Sequence, residues 1–177
     1  MSIVVRIATE NDIDTIEHLY NDLNDFLEIH ENYPCWKKGV YPIREDAEEA
    51  LVKGNLYVAI IDGKVAGTVV YSDEQEKAYR EVKWQIEFEV SVITICKLAV
   101  HPKYFGRGVG NALLDYAVFV GEERSAKAIR LDVYEENLPA IRLYEKCGFK
   151  DMGLVDLGLD DLCGLKWFKV FEKVLEE

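Results

Sequence analysis

The chain has few cysteines, no long apolar run and a shortage of positive charge. Its four cysteines, Cys35, Cys96, Cys147 and Cys163, form no CxxC pair. Without that spacing a zinc site is disfavoured, and reduced thiols in a cytoplasmic protein are the simplest interpretation. No apolar run approaches the ~18 residues of a membrane-spanning helix, and the N-terminus shows no long apolar signal segment. We therefore expect neither a membrane partner nor secretion.

The shortage of positive charge is large, with 33 Asp and Glu against 21 Lys and Arg, for a formal net charge of -12. An acidic surface disfavours binding to nucleic-acid phosphates. It favours cationic or amine partners, although the same charge also serves only to keep a protein in solution. The length of 177 residues and the 49% of hydrophobic residues predict one globular domain over residues 1–177.

Hydrophobic periodicity predicts a mixed α/β domain. Alternating or continuous apolar stretches predict strands at residues 4–7, 56–61, 65–71, 129–134, from 149 onwards and at 166–175. Helical spacing predicts helices from Thr9 to Leu27 and at 44–53, 109–120 and 137–147. Residues 72–80 show no periodicity and are predicted to be a surface excursion.

One further stretch predicts a long strand. Trp84, Ile86, Phe88 and Val90 alternate with polar residues, which is typical of a half-exposed antiparallel strand. Residues 91–100 continue it with apolar side chains on both faces. Because an unbroken strand of this length is unusual, we expect a bulge or break within it.

A glycine-rich stretch lies where this strand meets the next helix. Gly106, Gly108 and Gly110 occupy alternate positions there. Glycine lets the chain bend sharply and lets a ligand approach the main chain. The first turn of a helix adds unpaired N–H groups and a partial positive charge. The stretch therefore predicts an anion site, typically for phosphate.

Three classes of phosphate ligand use such turns. A nucleoside triphosphate loop needs Lys-Ser or Lys-Thr after the glycines, and this pair is absent. A dinucleotide site needs a third glycine where Asn111 stands, although Asp132 lies near the expected distance for its acidic residue. A dinucleotide-binding oxidoreductase therefore stays open as a less favoured alternative, because the motif comes late in the chain and after antiparallel hairpins.

The third class is acyl-CoA. Residues 98–102 (LAVHP) followed by 106–114 (GRGVGNALL) resemble the acyl-CoA-binding motif of the GNAT N-acetyltransferase superfamily. Residues 131–149 resemble the next motif of that family, and Arg6-Ile7-Ala8-Thr9 resembles its usual start. The resemblance implies a mixed, mostly antiparallel sheet of about six to seven strands flanked by helices. It also implies direct transfer of acetyl from acetyl-CoA to a primary amine of a small molecule or peptide, without a metal, and it is compatible with a homodimer.

The resemblance implies contacts to CoA along both motifs. Phe105 departs from the pattern, because Arg or Gln is frequent there in the family. Backbone N–H groups supply most pyrophosphate contacts, so we expect binding to survive this change, with weaker affinity as its cost. The implied cofactor-binding residues are Leu98, Ala99, Val100, Phe105, Gly106, Arg107, Gly108, Val109, Gly110, Asn111, Asn137 and Lys146.

Catalytic roles are implied less evenly. By resemblance Tyr144 is the general acid that protonates the CoA thiolate. We expect it at the edge of a helical stripe of Ala140, Leu143 and Cys147. Glu89 is the candidate general base, and a water chain to bulk solvent is an equal alternative. Because residues 92–100 contain no acid, a non-catalytic acyl-CoA-binding module also remains open.

The acceptor side is predicted from a loop rich in aromatic residues. Tyr33, Trp36 and Tyr41 lie between the first two helices, and we expect them to form a wall beside the acceptor. The acidic helix that follows would attract a cationic acceptor, but a solvated face is the simpler interpretation of its charge.

Overall fold

The computed structural model describes residues 2–176, apart from the side chains of Leu162 and Cys163. Its strands are β1 (Val4–Ile7), β2 (Leu56–Ile61), β3 (Lys64–Ser72), β4 (Val92–Val100), β5 (Ala128–Tyr134), β6 (Lys150–Asp156) and β7 (Trp167–Val174). Its helices are α1 (Ile13–Ile29), α2 (Arg44–Val52), α3 (Val109–Glu123), α4 (Leu138–Lys146) and the short α5 (Asp160–Cys163), which the sequence did not predict.

The strands form one seven-stranded sheet in the order β1-β2-β3-β4-β5-β7-β6. β4 and β5 pair in parallel. The pairs β1–β2, β2–β3, β5–β7 and β6–β7 are antiparallel. The predicted α/β class, with a mixed and mostly antiparallel sheet flanked by helices, is confirmed.

By its internal contacts the chain divides into two compact units. Unit 1 comprises Met1–Asn32, Trp36–Tyr71 and Lys97–Tyr116, and unit 2 comprises Tyr33–Cys35, Ser72–Cys96 and Ala117–Glu177. The division falls inside β4 and inside α3. The extent of a single domain over residues 1–177 stays a prediction.

Unit 1 packs α1, α2 and the first part of α3 around β1, β2 and β3. The predicted stripe of α1 is buried, namely Ile13, Ile16, Tyr20, Leu23 and Leu27. Gly67 of β3 lets α3 approach closely, because a Cβ atom there would lie 2.7 Å from Cγ1 of Val109 and 3.1 Å from the carbonyl oxygen of Ala99. The Tyr71 hydroxyl donates a 2.5 Å hydrogen bond to the carbonyl oxygen of Leu113, and this bond also holds α3 against β3.

Unit 2 corrects the prediction of a strand from residue 84. Residues 73–91, the β3–β4 segment, contain a 3-10 turn at Lys77–Glu81 followed by bends and turns. Trp84 and Phe88 pack against a buried cluster that includes Tyr79 and Phe168, instead of lining one face of a strand. The alternating apolar residues therefore belong to a loop, and they attach this loop to the core. The segment is also no simple surface excursion, because Tyr79 is only 2% exposed.

Candidate active site

The predicted anion loop lies in unit 1, between β4 and α3. A 3-10 turn at Pro102–Tyr104 follows β4, and Nδ1 of His101 caps it by accepting a 3.1 Å hydrogen bond from the Lys103 N–H. Gly106 and Gly108 then adopt φ values of 72° and 82°. L-amino acids with a Cβ rarely adopt this region, so glycine is required at both positions. Nothing lies within 4 Å of a Cβ built on Gly106, so this main chain is open to a ligand.

The start of α3 supplies the donors of the loop. The Ala112 N–H donates a 3.0 Å hydrogen bond to the carbonyl oxygen of Gly108. The N–H groups of Val109 and Gly110 precede this bond, and first-turn donors of this kind lie outside the hydrogen-bond ladder within a helix. The Val109 side chain is 1% exposed, so its contact to a ligand runs through the backbone. These features fit an anion at the helix N-terminus.

The side chains of the loop divide into apolar and cationic. Phe105 is 46% exposed and packs edge-on against Phe26, with ring centroids 5.3 Å apart. It therefore extends an aromatic surface where a polar side chain is frequent in the resembled family. The Arg107 guanidinium lies 5.5 Å from the Tyr104 ring and supplies a positive charge beside the glycines.

β4 is irregular just before this loop. Lys97 has a φ of 53° inside the strand, and Leu98, Ala99 and Val100 follow it. The expected irregularity is therefore found at this residue, as well as in the non-strand residues before Val92. The Lys97 ammonium lies 4.0 Å from Oδ1 of Asp46 and 5.6 Å from the Tyr41 ring centre.

The aromatic loop between α1 and α2 is divided between the units. Trp36 and Tyr41 pack edge-to-face at 5.8 Å in unit 1. Tyr33 belongs to unit 2. The acceptor wall predicted from these three residues stays a prediction.

In unit 2 the parallel ladder between β4 and β5 is short. Its pairs run from Val92 with Ala128 to Ile95 with Leu131. Asp132 follows directly on β5, and its Oδ2 accepts a 2.6 Å hydrogen bond from the Tyr79 hydroxyl. Sequence reasoning considered this carboxylate only as a dinucleotide ligand. The available signal was an acid within a central strand, where Arg130 is the other charged residue.

The surroundings of Asp132 make its carboxyl group a weaker acid than an ordinary aspartic acid. Burial raises its pKa to about 6, the hydrogen bond from Tyr79 opposes that rise, and the negative charge of Glu76 adds to it. Burial and the nearby Asp132 carboxylate raise the pKa of the Tyr79 phenol well above its usual range. Because Asp132 titrates near neutral pH, it is suited to accept and release a proton.

Tyr144 lies on α4, which Asn137 caps by accepting a 3.4 Å hydrogen bond from the Ala140 N–H. The predicted stripe of this helix is wrong: Ile141 and Tyr144 are its buried residues. The Tyr144 ring packs against Phe171 of β7, with centroids 5.8 Å apart. Because this partner comes from a distant strand, the helix sequence alone did not identify the buried face.

Tyr144 nevertheless has the property expected of a general acid. Burial, and secondarily the negative charge of Asp132, raise the pKa of its phenol. It therefore carries its proton at neutral pH. In the part of the chain that the structure describes, no group is hydrogen-bonded to its hydroxyl, so the proton is not committed to another acceptor.

Two other predicted residues lie at the surface. Glu89 belongs to the β3–β4 segment and not to a strand, and its side chain is 70% exposed with a 2.8 Å ion pair to Arg80. This exposure and this ion pair do not favour the predicted role of Glu89 as the general base. Lys146 is exposed in the last turn of α4. Among the described residues, no group of three or more His, Cys, Asp or Glu side chains is arranged to hold a metal ion.

A sequence profile of the Acetyltransferase (GNAT) family matches residues 16–149. The chain belongs to this family. The predicted GNAT membership is thus confirmed, and the enzyme class of acyltransferase is confirmed at the level of the family. The family favours acyl-CoA over a dinucleotide as the ligand of the glycine loop. None of the helices in the described residues is long and apolar enough to cross a membrane.

Three relatives show how far the similarity extends. The chain is 39% identical over 64 residues to the UPF0157 protein YqkA of Bacillus subtilis, covering 36% of this chain and 18% of that protein. It is 29% identical to an uncharacterised N-acetyltransferase of Methanocaldococcus jannaschii, covering 76% and 59%. It is 30% identical to an N-alpha-acetyltransferase of Sulfurisphaera tokodaii, covering 84% and 80%. The matched part of this chain thus spans less than two thirds of the length of each of the first two relatives.

Solved GNAT structures share the fold. A GNAT acetyltransferase of Streptococcus agalactiae superposes with a TM-score of 0.79 at 24% identity, covering 99% of this chain and 96% of that one. The acetyltransferase yncA of Salmonella typhimurium, solved with acetyl-CoA, gives a TM-score of 0.68 at 18% identity, covering 100% and 96%.

Proposed function

We propose that this protein is a cytoplasmic N-acetyltransferase that moves acetyl from acetyl-CoA to a primary amine of a small molecule or peptide. The observation that carries the proposal is the loop before α3, where Gly106 and Gly108 adopt φ values of 72° and 82° ahead of the open helix N-terminus. In a GNAT chain this is an anion site of the kind that CoA pyrophosphate requires.

The CoA contacts follow from the loop and its flanks. The backbone N–H groups of the glycine loop and the start of α3 bind the pyrophosphate. The Arg107 N–H already donates a 3.3 Å hydrogen bond to the Tyr104 carbonyl oxygen, so Arg107 contributes its positive charge. Phe105 offers an apolar surface and no phosphate ligand. Leu98, Ala99 and Val100 contribute backbone groups to the pantetheine arm in the manner of an added strand. Asn137 and Lys146 are further contacts, the lysine through a CoA phosphate.

The chemistry assigns two proton transfers in unit 2. An ammonium acceptor loses a proton to Asp132, which replaces Glu89 as the favoured base because its pKa of about 6 leaves it ionised at neutral pH. The amine nitrogen then bonds to the thioester carbonyl carbon, and the C–S bond breaks. Tyr144 gives its proton to the departing CoA thiolate. The nitrogen loses its second proton as the amide forms, and this proton restores the Tyr144 phenol, while Asp132 returns its proton to solvent. The products are an N-acetyl amide, CoA and one proton.

The acceptor is proposed only as a class. One relative is named an N-alpha-acetyltransferase, and a fold neighbour from Brucella melitensis, at 20% identity, is named a ribosomal-protein-alanine N-acetyltransferase. These names favour peptide α-amines as the first acceptors to examine. Small amines are the second class, and a homodimer remains a prediction.

Two measurements test the proposal. Calorimetric titration with acetyl-CoA and with NAD(P) identifies the ligand of the loop, and we expect binding of acetyl-CoA alone. Release of CoA thiol is then followed with a panel of peptides and small amines. Acetyl-CoA binding without turnover on any amine would favour the non-catalytic module, and NAD(P) binding without acetyl-CoA binding would contradict the proposal.

A further inference from the structure

The β3–β4 segment is held by a buried ion pair of unit 2. Arg130 of β5 and Glu172 of β7 are both 0% exposed and face each other in the ladder, with Nε of Arg130 2.8 Å from Oε2 of Glu172. Nη1 of Arg130 donates a 2.7 Å hydrogen bond to Oε1 of Gln75. The first part of the segment is therefore tied to the sheet by a charge that has no access to water.

The same pair holds the later part of the segment. Nη2 of Arg130 donates to the carbonyl oxygens of Ile86 and Glu87. The Trp84 ring lies 4.4 Å from the guanidinium carbon. The Gln85 N–H donates a 2.7 Å hydrogen bond to the second oxygen of Glu172. Both parts of the segment thus depend on one buried pair, which resists local opening.

Tyr79 lies between these two anchored parts. Its carbonyl oxygen accepts a 2.8 Å hydrogen bond from Nε1 of Trp84, and its ring packs in the cluster that contains Val155 and Phe168. Tyr79 is therefore held through both its backbone and its side chain. Its hydroxyl donates to Oδ2 of Asp132, which leaves Oδ1 for another partner.

We infer that Tyr79 is a positioning residue, which holds one oxygen of Asp132 so that the other is oriented to accept the proton of the acceptor. The inference rests on the proposed role of Asp132 as the base. It assigns the β3–β4 segment a part in catalysis without contact to the reacting atoms. A phenol that donates to a carboxylate also favours its ionised form, so this contact keeps Asp132 ready to act as a base near neutral pH.

Several groups face Asp132 and Tyr79, and each influences the expected titration of Asp132. Glu76 of the same segment adds a negative charge that disfavours ionisation of Asp132. Tyr144 of α4 and Cys96 of β4 interact electrostatically with Asp132 and Tyr79, respectively. The neighbour of Asp132 on β7 is the apolar Val170. The donor to Asp132 in this set is Tyr79, so removal of its hydroxyl should raise the pKa of Asp132.

The experiment is a titration of 13C-labelled aspartate carboxyls by NMR, with Asp132→Asn used to assign the resonance. It needs no acceptor. We expect the pKa of Asp132 to rise by about half a unit or more in Tyr79→Phe, because the donor is lost. Tyr71→Phe is the matched control, since it also deletes a buried hydroxyl that donates a hydrogen bond, in this case to the Leu113 carbonyl oxygen, and it should leave the titration unchanged.

A second variant avoids the buried core. Glu76 is exposed, and Glu76→Gln should lower the pKa of Asp132 by a few tenths of a unit, a change opposite in sign to that of Tyr79→Phe. An unchanged Asp132 titration in folded Tyr79→Phe would overturn the inference. Failure of the proposed function would look different: Asp132→Asn would then retain the wild-type rate of acetyl transfer, whatever the titration shows.

Discussion

The phenolic oxygen of Tyr79 lies 2.6 Å from Oδ2 of Asp132, across 53 positions of sequence. The contact joins the irregular segment between β3 and β4 to the central strand β5. It brings a donor to a carboxylate whose pKa burial has raised to about 6. A carboxylate with this pKa is ionised at neutral pH. It is also a stronger base than an ordinary aspartate, which suits it to take a proton from an ammonium group.

Replacement of Asp132 by Asn should slow acetyl transfer by about 10²- to 10⁴-fold, the usual contribution of a general base. The wild-type pH profile of kcat/KM should fall below about pH 6, because protonated Asp132 accepts no proton. The variant should lose this acidic limb and retain acetyl-CoA affinity. Steady-state kinetics over pH 5–9 would check both, and an acidic limb preserved in the variant would assign it to another group.

The same substitution should stabilise the fold at neutral pH. The folded pKa of about 6 exceeds the unfolded value of ~3.9, so Asp132 contributes stability that is present below about pH 4 and lost as pH rises through 6. Urea unfolding should show Asp132→Asn to be more stable than wild type by up to about 2 kcal/mol at pH 8, with little difference at pH 4.

Asp151 provides the control of opposite sign. Its hydrogen bonds from Lys169 and the Gly153 N–H outweigh burial and lower its pKa. Its stabilisation is present above the unfolded pKa and is lost as pH falls through the folded value. Asp151→Asn should therefore destabilise the fold at pH 8. Equal effects of both variants would show that burial does not govern the behaviour of Asp132.

Replacement of Tyr144 by Phe should lower kcat by at least about tenfold while acetyl-CoA still binds, because the ring contact with Phe171 is kept and only the acid is lost. Calorimetry and single-turnover thiol release would separate binding from chemistry. Tyr71→Phe controls for the loss of a buried hydroxyl. Unchanged turnover in Tyr144→Phe would remove it from the mechanism.

Replacement of Gly106 by Ala should weaken acetyl-CoA binding about tenfold or more, because a Cβ at a φ of 72° forces the loop away from its conformation. Gly39→Ala is a matched control in the same unit, since Gly39 has a φ of 75° and equally open surroundings. Both variants should lose about 1 kcal/mol of stability. Equal acetyl-CoA affinity in the two would argue against the loop as the phosphate site.

Replacement of Arg130 by Met should cost about 3–5 kcal/mol of stability, because it leaves the buried Glu172 carboxyl group without its cationic partner. The double variant Arg130→Met, Glu172→Met should recover part of that loss by removing the stranded charge. Chemical denaturation of the two variants measures the coupling. A double variant less stable than Arg130→Met alone would show that Glu172 stabilises the fold mainly through Gln85.

The prediction of the site was uneven for physical reasons. The glycine loop and Asn137 are local features, since positive φ and helix capping depend on neighbouring residues. The exposed Glu89 and the burial of Tyr144 depended on partners far along the chain. Residues 84–90 alternate between apolar and polar side chains, which is the pattern of a strand. They form a loop instead, and its apolar side chains at every second position attach it to the core.

By itself the sequence determined the strand and helix order around the glycine loop, the family motifs and the excess of negative charge. These properties reside in short-range patterns and in composition. Only the tertiary structure decided which carboxylate has a raised pKa, which hydroxyl reaches it and what holds the β3–β4 segment. The pKa of Asp132 is set by burial and by Tyr79, 53 positions away, and distances of this kind exist only after the chain has folded.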